Sequence, residues 1–132
     1  MRSRAVCDAS AVAALLLDAG RDGRWVTDVL HDVELAAPAL FPFETANIVR
    51  RLELAGSITS DQAAQAHADL LDLTVELWPY GLLARRAWQL RRNLTAYDAS
   101  YVALAEDLEI PLVTLDRKIG GAPGLRCEVL SP

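Results

Sequence analysis

Three apolar residues, Ala5-Val6-Cys7, run straight into Asp8, and a small residue, a hydroxyl and the apolar stretch 11–17 follow without a break. This is the pattern of a buried strand over residues 4–7 that ends at Asp8 and turns directly into a helix. In open parallel sheets ligands sit outside the carboxyl ends of the strands. A carboxylate placed there is costly unless something positive meets it. The rest of the chain is read around that position.

Ser10 is predicted to cap the first helix, which runs to about Leu17. Gly20 and Gly23 punctuate an expected loop carrying Arg21, Asp22 and Arg24, before a second helix over residues 25–32. A short second strand at 34–36 ends at Pro38. A helix over 43–54 has Pro42 just ahead of it and Gly56 as its C-terminal cap. Thr59 and Gln62 have the capping-box spacing for the next helix, to about Leu71. A third strand at 74–77 closes at Pro79, and residues 81–92 read as helical, with Leu83, Ala87 and Leu90 inward. Thr95 caps a helix over 96–108. The fourth and fifth strands fall at 111–114 and 126–130. Strands alternating with helices predict one α/β domain spanning residues 1–132, with a mainly parallel five-stranded sheet flanked by helices on both faces.

The net charge of −5 argues against a protein that coats nucleic acid electrostatically, though not against an enzyme that holds it through metal ions and a local basic patch. Arg2 and Arg4 precede the apolar stretch ending at Leu17, but Asp8 interrupts it and no convincing cleavage site follows. No run is long enough to span a bilayer. Cys7 and Cys127 fall in predicted strands without metal or disulfide-framework spacing and read as buried, reduced thiols. A cytoplasmic, reducing setting without a membrane partner is expected.

Four acids stand out by position. Asp8 and Asp116 each follow an apolar strand, while Glu44 and Asp98 each lie in the first turn of a helix. Helix N-termini favour negative charge, so Glu44 and Asp98 each have a purely local explanation. Asp116 can equally open a turn with Arg117 and Lys118. Together, however, two strand ends and two helix starts can face one sheet edge. Carboxylates meeting there repel and raise one another's pKa, and a hard divalent cation relieves that repulsion. Such ions activate water and assist displacement at phosphorus. Asn47 and Arg51 follow Glu44 at helical spacing, and Asn47 is a candidate to orient it. Ser10 and Thr114 are candidates to hydrogen-bond the carboxylates, with capping and strand propensity as the local alternatives.

Four segments then carry a resemblance. Val6-Cys7-Asp8-Ala9-Ser10-Ala11, residues 37–47 with Glu44-Thr45-Ala46-Asn47, residues 95–105 with Thr95-Ala96-Tyr97-Asp98-Ala99, and Pro111-Leu112-Val113-Thr114-Leu115-Asp116 resemble, in order, the motifs of PIN-domain nucleases. Within these they resemble the VapC-type toxins of bacterial toxin–antitoxin pairs. The resemblance implies that Asp8, Glu44, Asp98 and Asp116 form the acidic set. Asp8, Asp98 and Asp116 would be metal ligands, and Glu44 would act directly or through water. It implies Mg²⁺- or Mn²⁺-dependent endoribonuclease activity with a metal-activated water, a homodimer, and a small antitoxin that blocks the site. Thr114 stands where many members carry a further acid or hydroxyl.

Substrate contacts are expected from one of the pairs Arg50-Arg51, Arg85-Arg86 and Arg91-Arg92, or from Arg21 and Arg24. His31 and His67 fall outside the motifs and read as structural or surface residues. Trp25, Trp78 and Trp88 read as core or interface. Haloacid-dehalogenase-like phosphatases need a second aspartate where Ser10 stands, and receiver domains need a lysine, for which Lys118 is the sole candidate. A catalytically silent module that binds a protein partner is the remaining alternative.

Overall fold

The computed structural model describes residues 3–132; Arg2 lies outside the described residues. Five strands, β1 (Ser3–Cys7), β2 (Val33–Pro38), β3 (Val75–Trp78), β4 (Leu112–Val113) and β5 (Val129–Leu130), form one sheet in the order β3-β2-β1-β4-β5. All four pairings are parallel. Ala5, Val6 and Cys7 of the central strand are all buried. Since successive side chains point to opposite faces, both faces of the sheet are covered there. The first connection leaves β1 for β2 on one side, and the chain later returns to place β4 on the other. The crevice at the carboxyl ends of β1 and β4 is therefore the topological switch point, where open α/β sheets bind ligands.

Among the described residues seven α-helices make the connections: α1 (Ala9–Leu17), α2 (Arg21–Val29), α3 (Phe41–Leu54), α4 (Ser60–Asp72), α5 (Ala84–Gln89), α6 (Ala96–Leu108) and the short α7 (Arg117–Gly120). Several termini follow the expected chemistry. Thr59 and Gln62 make both bonds of the capping box, Thr95 caps α6, and Gly56 takes a left-handed φ of 76° just past α3. The main core surrounds the sheet, and a smaller cluster of Val49, Ala63 and Ala66 joins α3 to α4.

Four expectations need correction. Residues 21–24 are not a loop but the first turn of α2, and the helix stops at Val29 rather than 32. Gly23 is a packing residue, because a Cβ there would lie 1.7 Å from the Asp18 carbonyl oxygen. The single helix foreseen at 81–92 is a 3-10 turn, Tyr80–Leu82, followed by the short α5, although Leu83, Ala87 and Leu90 are inward as expected. The fifth strand is only Val129–Leu130. The backbone amide of Arg126 donates to the Glu106 carboxylate at 2.7 Å instead of joining a ladder, so Cys127 lies outside the strand and is half-buried. Finally, Asp8 and not Ser10 caps α1.

Candidate active site

Asp8 leaves β1 with extended backbone and caps α1, its Oδ1 accepting from the Ala11 amide at 3.0 Å. The Ser10 hydroxyl donates to the same oxygen at 2.7 Å, and the Thr114 hydroxyl donates to Oδ2. Each hydroxyl also ties down the neighbouring turn. Ser10 Oγ accepts from the Leu115 amide at 3.1 Å, and Thr114 Oγ1 accepts from the Asp116 amide at 2.9 Å. The turns after β1 and β4 are thus stitched together through Asp8. Asp116 follows directly and caps α7 by accepting from the Lys118 amide at 2.9 Å.

The other two acids arrive on helices. Glu44 is in the first turn of α3 and Asp98 in the first turn of α6. Tyr101, one turn beyond Asp98 and 1 % exposed, donates its hydroxyl to Glu44 Oε1 at 2.7 Å and so couples α6 to α3. The side chain that fixes Glu44 is thus Tyr101, where the sequence had suggested Asn47. Tyr101 sits in the same motif as Asp98, on the same helical face. That spacing was the available signal, but its partner is 57 residues away.

All four acids line one open cavity of about 200 Å³, with Ala9, Ser10, Asn47, Ile48, Arg51 and Tyr101 completing its walls. Thr114 lies beneath it, fully buried. Arg21, Arg24, His31 and His67 do not line it. Both histidines are exposed. Trp25 and Trp78 pack against the core, whereas Trp88 is exposed under the Arg91 guanidinium.

The electrostatics are those of an under-compensated anionic site. Burial raises the Asp8 pKa above the ordinary aspartate value; its hydrogen bonds with Thr114, Ser10 and Ala11 offset part of this, and the Asp116 charge adds to it. Burial likewise raises Asp98, reinforced by Asp116 and Asp8 and eased by Thr95 and Lys118. Glu44 is raised by burial, relieved by the Tyr101 hydroxyl, and raised further by Asp98 and Asp8. Among the described residues the ion pairs are Arg4–Glu76 and Arg86–Glu106, both outside this cavity, so none of the four acids is engaged in a salt bridge. Oxygen donors gathered without a cation suit a hard divalent ion. Among the described residues no three acidic, histidine or cysteine side chains already close around a single point. An ion such as Mg²⁺ takes roughly one or two protein carboxylates directly and keeps several waters, through which further acids can act.

A parallel sheet with an acidic pocket at its switch point defines a class, and direct comparison places the chain within it. The PIN domain signature matches residues 5–124, and the chain belongs to the PIN-domain family. Ribonuclease VapC1 of Mycobacterium tuberculosis is 38% identical over 125 residues, covering 94% of each chain. Among solved structures, PAE2754 of Pyrobaculum aerophilum superimposes with a TM-score of 0.69 at 26% identity, over 96% of this chain and 83% of that one. VapBC-5 of M. tuberculosis, a member of the VapBC family of toxin–antitoxin systems, shares the fold with a TM-score of 0.63 at 21% identity, over 98% and 99% of the two chains.

Proposed function

We propose that this protein is a metal-dependent endoribonuclease, the toxin of a toxin–antitoxin pair, acting in the cytoplasm as a homodimer held in check by a small cognate antitoxin. The observation that carries the reading is the convergence of Asp8, Glu44, Asp98 and Asp116, from four separate elements, on one cavity without a salt bridge to any of them among the described residues. The relationship to ribonuclease VapC1 supports RNA as the substrate, and the likeness to VapBC-5 supports an antitoxin partner.

Asp8, Asp98 and Asp116 would hold Mg²⁺ or Mn²⁺, with Glu44 contributing directly or through water. The ion, when bound, supplies an activated water and charge stabilisation for cleavage of the phosphodiester. The chain's own work is positional. Ser10 and Thr114 orient both oxygens of Asp8, and Tyr101 aims Glu44 across the cavity. Neither His31 nor His67 lines the cavity to act as general base.

Purified, antitoxin-free protein incubated with total cellular RNA tests this. Discrete fragments are expected with Mg²⁺ or Mn²⁺, none with EDTA, and none from Asp98→Asn. Cleavage that survives both EDTA and Asp98→Asn would sink the mechanism. Failure of the folded wild type to cut any RNA would favour the catalytically silent module.

A further inference from the structure

On α3 the residues Glu44, Asn47, Ile48 and Arg51 all line the acidic cavity, a spacing of three, four and seven residues along one helical face. At 1.5 Å per residue, Arg51 stands about 10 Å along the helix from Glu44. It is the one basic side chain among the cavity-lining residues, it is exposed, and it makes no ion pair among the described residues. Its neighbour Arg50 points elsewhere, lining a separate groove with Glu53 and His67. Of the other arginine pairs, Arg86 is committed to Glu106, Gln89 and the Gly124 carbonyl, and Arg91 lies over the Trp88 ring.

Resting on the nuclease reading above, we propose that Arg51 grips a phosphate next to the one cleaved, so that α3 is the track along which single-stranded RNA crosses the site. A strand entering this cavity meets four carboxylates, and phosphates are repelled there unless a cation accompanies them. An ion held by the acids serves the reacting phosphate. A neighbouring phosphate needs its own positive charge, and Arg51 is the cavity wall that offers one. A guanidinium suits this role because its planar fork pairs with two phosphate oxygens at once. Ile48, between Glu44 and Arg51, gives the intervening sugar and base an apolar surface. The contact fixes register without reading sequence, as phosphate contacts do. Arg51 is therefore a positioning residue.

The test uses full-length Asp98→Asn as the parent, so that RNA binds without being cut. Binding of fluorescent single-stranded RNA of mixed sequence is titrated in Mg²⁺ over a series of salt concentrations. Adding Arg51→Ala is expected to weaken binding about tenfold, equally across sequences, and to flatten the log–log salt slope by about 0.7. Arg51→Lys retains the charge and most of the slope but loses affinity with the fork. Arg50→Ala is expected to match the parent, and melting curves confirm that each variant is folded. Parent-like affinity and slope in folded Arg51→Ala, or an equal loss in Arg50→Ala, overturns the role of Arg51 while leaving the nuclease reading intact. A parent that binds no RNA removes the nucleic-acid reading itself, and this inference with it.

Discussion

Asp8 is 5 % exposed, and its charge is tolerable because three donors converge on it. The most telling of these is Thr114, which also accepts the Asp116 amide and so holds two of the four acids in register. Thr114→Val keeps the shape and removes the hydroxyl, leaving a buried carboxylate oxygen and a backbone amide short of partners. A loss of about 2–3 kcal/mol is expected by urea unfolding, together with a smaller rise in melting temperature on adding Mn²⁺. Thr114→Ser restores both, and a Thr114→Val protein as stable and as Mn²⁺-responsive as wild type would show the bond to be idle. Asp8 and Asp116 were legible because each ends an apolar run. Which residue caps α1 was not, since Asp8 and Ser10 are both short and polar and stand on either side of the residue where the helix begins. The choice depends on which one remains extended, and β1 reaches far enough to make that Asp8. The Tyr101–Glu44 bond was hidden for another reason: α3 and α6 meet only through tertiary packing.

At the scale of elements, the sequence misled where glycine was taken for punctuation. Gly20 does precede a helix, but Gly23 lies inside it, where α2 crosses the end of α1 too closely for any side chain. An alanine at an open mid-helix position stabilises by about 1 kcal/mol relative to glycine. Here the sign reverses, because the added carbon collides with the Asp18 backbone rather than with a side chain that can turn away. Gly23→Ala is expected to destabilise by about 1–3 kcal/mol through displacement of α2. RNA cleavage at permissive temperature should persist, since neither Gly23 nor Asp18 lines the cavity. Equal or greater stability in the variant would mean that α2 can shift freely on α1. The helices with ordinary capping signals, α3, α4 and α6, were read to within about two residues. The other errors at this scale gathered at 80–92 and 126–128, where the chain is pinned by tertiary partners: buried Leu83 and Leu90 in the first case, the Glu106 carboxylate in the second.

The whole molecule carries the electrostatic burden of its site as a dependence on pH and on metal. Asp8, Glu44 and Asp98 all have raised pKa values in the folded chain, chiefly through burial, with the charge of neighbouring acids adding to it. They hold protons more tightly folded than unfolded. The stabilisation this provides is complete below the ordinary carboxylate range and is lost as the pH rises through their raised values. Without a divalent ion, the protein should therefore melt at a lower temperature as the pH climbs from mild acid to neutrality. A bound cation favours the ionised acids, so with Mn²⁺ the trend should flatten or reverse. A concentration of 100 times the dissociation constant contributes about 2.7 kcal/mol at neutral pH. Asp8→Asn isolates this effect from every other titrating group. In EDTA it should melt above the wild type at neutral pH, converge with it in mild acid, and gain little from Mn²⁺. Melting curves for the two proteins across pH, with EDTA and with Mn²⁺, decide the matter. If the wild type and Asp8→Asn differ by the same amount at every pH and with either additive, the four acids are neither strained against one another nor awaiting a cation, and the fold holds them for some other purpose.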